Sequence, residues 1–257
     1  MSARPEQWGP QHAAAFDDAE VARRYYARPP YAPAAMAFLR GLIDPSSYVV
    51  LDVGTGTGKI ARELATTVER VDAVDVSAPM LEEGRRLAPR APIRWIHARV
   101  EDAPLSGPYG LATAGSSLHW MDWDVVCPKI AGVLTSGAAL AVVEVNDPLL
   151  GTPGPVLDAI IRHSAYEGKW QHIDLIAELT RRERFAPSGR RKFGEPFRQP
   201  VEEFIDALHS SSSLAPWRIG PERTRSFDEE IRRAAPRDAD GLVTRDTVTE
   251  IVWGRPA

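Results

Sequence analysis

Apolar positions along this chain follow two periods, and the two alternate. Residues 47–53 are an apolar, β-branched run bounded by Pro45-Ser46-Ser47 and by glycines, which predicts a short buried strand. Residues 58–68 place Ile60, Leu64 and Val68 every fourth position, the spacing of one apolar helix face. Val71–Val76 predicts a second strand, after which Ser77 and Pro79 mark a helix start. The alternation continues with strands at Ile93–Ala98 and Leu111–Gly115, a helix at Val125–Leu134 and a strongly apolar fifth strand at Ala138–Val145. Such alternation predicts an α/β fold, doubly wound about a mostly parallel sheet. Upstream, residues 12–26 suit a helix with Phe16, Ala19 and Ala22 on one side, and prolines hold the segment Tyr25–Pro33 extended. Downstream, a Pro- and Gly-rich loop over 146–155 leads into amphipathic helices at 156–166 and 172–184. A helix over Val201–His209, ending in Ser210–Ser213, and a last strand over 242–253 follow.

The junction between the first strand and its helix is Asp52-Val53-Gly54-Thr55-Gly56-Thr57-Gly58-Lys59. Glycines are wanted where the turn needs unusual φ values or a ligand approaches the backbone. A phosphate-cradling P-loop requires four residues before its Gly-Lys pair and a Ser or Thr after it. Here three residues separate Gly54 from Gly58, and Ile60 follows Lys59, so that reading fails twice. The dinucleotide pattern G-x-G-x-x-G matches Gly54 and Gly56, but the third glycine comes one residue early. A tight turn without a ligand is the plain alternative. Asp75 stands at the carboxyl end of the second strand, about 20 residues past the loop, where an acid can accept hydrogen bonds from ribose hydroxyls. Asp72 is the rival acid; it lies mid-strand and reads as a solvated edge residue.

Asp52-x-Gly54-x-Gly56-x-Gly58 resembles the first motif of the class I S-adenosylmethionine (SAM)-dependent methyltransferases of small-molecule type. Val74-Asp75-Val76-Ser77-Ala78-Pro79-Met80-Leu81 resembles the family's v-D-x-S-x-x-M-L segment, and Val133–Ala138 its v-L-k-P-G-G turn, with Gly137 at the permissive position. Arg99-Val100-Glu101-Asp102-Ala103-Pro104-Leu105 resembles G-D-A-E-D-L-P-F. Arg99 departs from that pattern, and an arginine cannot accept from an adenine amine. Adenine recognition then falls to the backbone at Val100 and to Glu101 or Asp102. Tyr25–Pro33 resembles the Y-x-x-R-P-x-Y-P stretch that lies over the SAM pocket; a surface crossover with aromatic anchors is the other reading of it. The resemblance implies a seven-stranded Rossmann-like sheet with a helical cap insertion. It implies cofactor contacts at Asp52, Gly54, Thr55, Gly56, Asp75, Val76, Met80, Val100, Glu101 and Ser116, with Tyr25 and Arg28 from the lid. Gly58 would shape the loop.

Gly115-Ser116-Ser117-Leu118-His119-Trp120-Met121-Asp122 follows the fourth strand and resembles the family's a-l-H-W-x-D segment. His119 is either a general base, a holder of a substrate oxygen, or a packing histidine. Trp120 either flanks the sulfonium through cation–π attraction or walls the core. Asp122 should cap the next helix. Tyr31, Trp120 and Tyr166 are the substrate-binding candidates. Trp170, His163 and Phe185 add aromatic character to the cap, where packing on the core competes with lining a pocket. The basic clusters Arg181-Arg182-x-Arg184 and Arg190-Arg191-Lys192 read as solvated faces, with recognition of an anionic substrate as the sharper alternative.

Composition trims the partners. The chain has 257 residues, 44% hydrophobic and 26% charged, so one large domain or a domain with a cap is expected. A net charge of −4 offers no basic field for nucleic acid. A lone Cys127 forms no internal disulfide and fits a reducing, cytoplasmic setting, and no apolar run is long enough for a membrane span. Met1–Pro10 shows no apolar leader segment. The histidines His12, His97, His163, His172 and His209 lack metal-ligand spacing, so no metal is expected. The organisation expected is a lid at 1–45, a SAM-binding core at 46–147, a substrate cap at 148–195 and the C-terminal part of the sheet at 196–257. The expected partner is a small-molecule acceptor, with S-adenosylhomocysteine as second product, no nucleic acid, no membrane and a homodimer left open. A cyclase on the same fold, or a SAM-binding protein without turnover, are the rivals.

Overall fold

The computed structural model describes residues 8–166 and 173–257. Trp170, His172, the start of the helix expected from 172, and most of the segment read for a leader lie outside the described residues. The seven strands are β1 (Val49–Val53), β2 (Arg70–Asp75), β3 (Ile93–His97), β4 (Leu111–Gly115), β5 (Leu140–Asn146), β6 (Phe185–Gln199) and β7 (Val243–Pro256). The helices are α1 (Pro10–Ala13), α2 (Ala19–Arg24), α3 (Pro33–Gly41), α4 (Lys59–Leu64), α5 (Ala78–Leu87) and α6 (Trp123–Ala131). They continue with α7 (Pro148–Gly151), α8 (Pro155–His163), α9 (Leu175–Arg181), α10 (Val201–His209), α11 (Pro216–Ile219) and α12 (Pro221–Ala234). One sheet carries all seven strands in the order β3-β2-β1-β4-β5-β7-β6. β1 pairs in parallel with both β2 and β4, and the pairs β2–β3 and β4–β5 are parallel as well. The winding reverses between β1 and β4, which makes the carboxyl ends of those strands the switch point of the fold.

The residues fall into two compact units. The core unit holds residues 31–145, 173–193 and 249–257. One face of its sheet buries Val50, Val71, Ala73, Leu111, Ala141 and Val143 against Ala35, Met36 and Leu39 of α3 and Ile60, Ala61 and Leu64 of α4. Alternate strand positions therefore meet two helices at helical spacing, the two periods visible in the sequence. Trp95 of β3 explains two glycines at once. A Cβ on Gly58 would come within 2.5 Å of its ring, and one on Gly84 within 2.6 Å. The second unit holds residues 1–30, 146–172 and 194–248, and its cluster joins Val156 and Ala159 of α8 to Phe204, Ile205 and Leu208 of α10 and to Phe227 and Ile231 of α12. Two of its histidines serve α12: buried His209 contacts Asp228 at 2.7 Å, and buried His163 contacts Glu230 at 3.0 Å.

Several expectations need correction. Residues 12–26 are not one helix, because Asp18 takes an extended conformation and caps α2 by accepting from the Glu20 and Val21 amides. The segment expected to be extended from Tyr25 begins with a 3-10 turn over Tyr25–Ala27 and extends only from Arg28. The helix expected over 58–68 stops at Leu64, and that over 172–184 is described as Leu175–Arg181, capped by Asp174. The helix expected over Val125–Leu134 runs from Trp123 to Ala131, capped by Asp122 as anticipated. From Phe185 the segment read as cap is strand: β6 is exposed throughout Arg190–Lys192 and alternates half-buried and exposed residues only from Phe193 to Arg198, so its apolar signal is weak. Gly137 does not need a left-handed φ. It is small because Asp44 Oδ2 would lie 2.6 Å from its Cβ, while the same oxygen accepts from Thr135 at 2.5 Å.

Asp72 is the largest reversal. It is fully buried, since β3 rather than β2 forms the edge. Its carboxylate accepts from the Tyr109 hydroxyl at 2.6 Å, and Arg70 and Arg94 pair with it at 2.8 and 3.1 Å. Burial, reinforced by the hydrogen bond to Asp72, pushes the Tyr109 phenol up to about 12. Removing only that hydroxyl leaves a buried carboxylate one donor short. Tyr109→Phe should therefore cost about 1–3 kcal/mol, read as a lower denaturant midpoint with an unchanged slope.

Candidate functional site

The loop between β1 and α4 is built from three left-handed glycines: Gly54, Gly56 and Gly58 at φ +63°, +56° and +75°. Each does something different. A Cβ on Gly54 would sit 2.4 Å from the Ser117 Cβ, so β1 and the segment after β4 touch there. Gly58 makes room for Trp95, whereas Gly56 faces open space. Gly56 is thus glycine for its φ and for whatever approaches it. The Thr55 amide donates to the Val74 carbonyl, which fastens the loop to β2.

Two carboxylates meet this loop. Asp52, at the end of β1, is 1% exposed. It accepts from the Thr55 hydroxyl at 2.5 Å and the Thr113 hydroxyl at 2.7 Å, joining β1, β4 and the loop. Desolvation raises it to about 6; the two threonine bonds oppose the rise and neighbouring Asp75 adds to it. Asp75, at the end of β2, is half-buried. Its Oδ2 accepts the Gly56 amide at 2.7 Å and its Oδ1 the Ser77 amide at 2.8 Å. Ser77 caps α5 by accepting from the Met80 amide. Beside Asp75, Val76 is 54% exposed, while the Met80 side chain is buried.

The segment after β3 is organised around Glu101. Burial pushes its carboxyl up, but the Asp122 amide, a backbone hydrogen bond of its own and Arg99 outweigh this and hold it below the usual range. Glu101 accepts from that amide at 2.9 Å and pairs with Arg99 at 3.3 Å, and its carbonyl accepts from Lys129 Nζ. Arg99 is held by Glu101 and Asp102, and Val100 is buried.

After β4, Ser116 adopts φ +47°, rare for a residue with a Cβ. Its amide donates to Val143 O and its hydroxyl to Glu144 Oε2 at 2.7 Å. Ser117 donates to Val53 O. A Cβ on Gly115 would lie 2.4 Å from the Tyr31 hydroxyl, which places that tyrosine at the end of β4. His119 and Trp120 follow in a 3-10 turn over Leu118–Trp120, both half-buried, with ring centroids 4.6 Å apart.

The structure thus gathers Asp52, Gly54, Thr55, Gly56, Asp75, Ser116 and Tyr31 at the carboxyl ends of β1, β2 and β4. Tyr25, Arg28 and Tyr166 belong to the second unit. There Arg28 donates to the Ser210 hydroxyl and carbonyl and stacks on Tyr25, while the Tyr166 hydroxyl meets Ser212. The basic clusters are paired: Arg181 and Arg182 with Glu178, Arg184 with Asp124, and Arg190 with Glu250. Among the described residues no group of three His, Cys, Asp or Glu side chains gathers to hold a metal. Sequence reasoning missed Glu144, although a lone acid inside the apolar run Ala138–Val145 was a visible signal.

A glycine-lined loop at the switch point, with an acid ending the next strand, is the arrangement on which nucleoside-binding α/β cores are built. A family profile described as a methyltransferase domain matches residues 50–137. An uncharacterised methyltransferase of Mycobacterium tuberculosis is 32% identical over 141 residues, spanning 53% of this chain and 72% of the relative. The malonyl-[acyl-carrier protein] O-methyltransferase of Anoxybacillus flavithermus is 28% identical over 89 residues, 34% of each chain. Among solved structures, a protein of Anaeromyxobacter dehalogenans assigned as a type II methyltransferase superposes with a TM-score of 0.62 at 23% identity. The match covers 89% of this chain and 97% of that one. The chain belongs to the class I SAM-dependent methyltransferases. It is a methyltransferase enzyme on the seven-stranded fold of that class. No helix among the described residues is long and apolar enough to cross a membrane.

The loop geometry carries two predictions. Gly54→Ala meets both a wrong φ and a 2.4 Å contact, while Gly56→Ala meets only the φ penalty of about 1–2 kcal/mol. Thermal melts should therefore rank Gly54→Ala well below Gly56→Ala. Asp52 lies above its ordinary 3.8 in the folded protein. The stability its protonated form contributes is full below that value and is lost as pH rises through about 6. Asn at this position does not ionise, so the stability of Asp52→Asn relative to wild type should improve by about 2–3 kcal/mol between pH 3.5 and 7.5. Denaturant midpoints at the two pH values check it.

Proposed function

We infer that the protein binds SAM at the β1–α4 loop and transfers its methyl group to a small organic acceptor by in-line displacement. The observation that carries the reading is the pairing of Gly56 with Asp75. Gly56 leaves open space where a side chain would stand, and Asp75 holds the Gly56 amide through one oxygen. Asp75 ends β2 beside the loop, the position from which an acid accepts hydrogen bonds from ribose hydroxyls. The Thr55 and Gly56 amides already donate to the Val74 carbonyl and to Asp75, which corrects the expectation that all the loop amides face the methionine end; of the three, the Gly54 amide would face it, with Asp52 bracing the loop from beneath. Val76, Val100 and Glu101 would border the adenine; Glu101 and Arg99 are already engaged with each other, so the backbone at Val100 is favoured for base contacts.

SAM supplies the reactive methyl on a sulfonium, so the protein's work is to orient two reactants and exclude water. Ser116 and Tyr31 at the end of β4, followed by His119 and Trp120, would meet the acceptor. His119 would hold its oxygen, and Trp120 would offer a π face to positive charge.

Calorimetric titration of S-adenosylhomocysteine tests the assignment. Wild-type protein should bind in the micromolar range, and Asp75→Ala should weaken binding at least tenfold without lowering the melting temperature by more than a few degrees. Ligand-free, folded wild-type protein that does not bind would remove the cofactor assignment and leave a SAM-independent enzyme on this fold. Binding without transfer of label from methyl-labelled SAM to any acceptor would favour a non-catalytic binding protein.

A further inference from the structure

Asp52, Asp75 and Glu144 each stand at the carboxyl end of a parallel strand of the core unit. Two of them are committed. Both oxygens of Asp52 are held by threonine hydroxyls, and both of Asp75 accept main-chain amides. Glu144 is different. It is half-buried near the end of β5, and Ser116 is bonded to its Oε2 alone. Ser116 is held in a strained φ while making this contact, and strain of this kind persists where surrounding bonds enforce it. The next residue, Ser117, is the one against which Gly54 rests. Glu144 is therefore one residue removed, through Ser116, from the side chain that abuts the glycine loop.

We propose that Glu144 is the general base of the reaction, and that the acceptor is a neutral hydroxyl compound, a phenol or an alcohol, bound at the carboxyl ends of β4 and β5. This rests on the methyl-transfer reading above. In the step, a lone pair of the acceptor oxygen forms the new O–CH3 bond. The methyl carbon parts from sulfur, which keeps the electron pair and becomes a neutral thioether. The hydroxyl proton passes to Glu144. One positive and one negative charge disappear together, which favours the transfer in a site poor in water. A carboxylate acceptor would need no base and would meet repulsion from Glu144.

The surroundings suit the role. Desolvation raises the Glu144 carboxyl to about 7; the Ser116 bond opposes this, and Glu250 adds to it. A base is most effective when its pKa lies near the working pH. The groups that face it are Ser116, just after β4, and Glu250 from β7. On β6, Arg190 and Lys192 hold Glu250 Oε1 at 3.2 and 3.8 Å. Glu250 is thus a positioning residue that sets the pKa of Glu144 through charge.

The test combines three readings on wild type, Glu144→Gln, Glu144→Asp and Glu250→Gln. The first is S-adenosylhomocysteine affinity by calorimetry. The second is single-turnover transfer from methyl-labelled SAM to a panel of phenols, alcohols and carboxylic acids across pH 5–9. The third is carbon-13 titration of the Glu144 carboxyl in the S-adenosylhomocysteine complex, which needs no acceptor. Hydroxyl compounds should be methylated, with a rate that rises with pH through a limb near 7. Glu144→Gln should slow transfer by about 10²–10⁴-fold and abolish the limb, with affinity for S-adenosylhomocysteine within twofold of wild type. Glu144→Asp should recover part of the rate, and Glu250→Gln should move the limb to lower pH. A Glu144 titration midpoint below 5, transfer to carboxylates only, no transfer to any hydroxyl compound, or a Glu144→Gln rate within tenfold of wild type would each overturn the proposal. Wild-type protein that binds no S-adenosylhomocysteine would instead remove the methyltransferase reading on which it rests.

Discussion

Asp52 joins β1, β4 and the glycine loop through one buried carboxyl group, and the site takes its shape from that junction. Thr113 reaches it from the neighbouring strand and Thr55 from the loop. Burial of an acid is costly unless its oxygens are satisfied. The two hydroxyls meet that need, and in doing so they fix the loop relative to the sheet. Gly54 then lies against Ser117, and Ser117 donates back to Val53. The close approach of β1 and β4 at the switch point is therefore a hydrogen-bonded contact that requires glycine at one position and a small hydroxyl residue at the other.

From that junction the polar groups spread outward with decreasing commitment. Asp52 is enclosed and Asp75 is half-buried with two amides on it. Glu144 has one hydroxyl partner and a raised pKa. The gradient runs from a group that builds the site, through one suited to hold a ligand, to one suited to move a proton. Similar side chains serve different ends because desolvation and hydrogen bonding differ at each strand end.

The outer ladder illustrates a separate constraint. β6 and β7 carry Arg190, Lys192 and Glu250 where the inner strands carry Val and Ala. On the other face Phe38 meets Trp253, and Gly189 admits the same indole at a distance no side chain would tolerate. An outer strand can be polar on one side and still pack, provided that large aromatics on the facing side find small residues opposite them.

The five parallel strands, the loop and Asp75 were legible in the sequence because their signals are local. A β-branched run, a helical period, a glycine spacing and a cap each lie within about ten residues. The Ser77 cap and the Asp122 cap followed from the same kind of signal. Tertiary structure alone decided what depends on contacts between distant residues. Asp72 looked like an edge acid until β3 closed over it and Tyr109, 37 positions away, supplied its donor. Gly137 looked like a conformational glycine until Asp44 occupied the space of its side chain. β6 hid behind its charges, because its apolar positions are completed only by β7. Glu144 was one acid in an apolar run until Ser116, 28 positions away, turned toward it. Local order is written into neighbouring residues, whereas burial and pKa belong to a residue only after the chain has brought remote groups to its side.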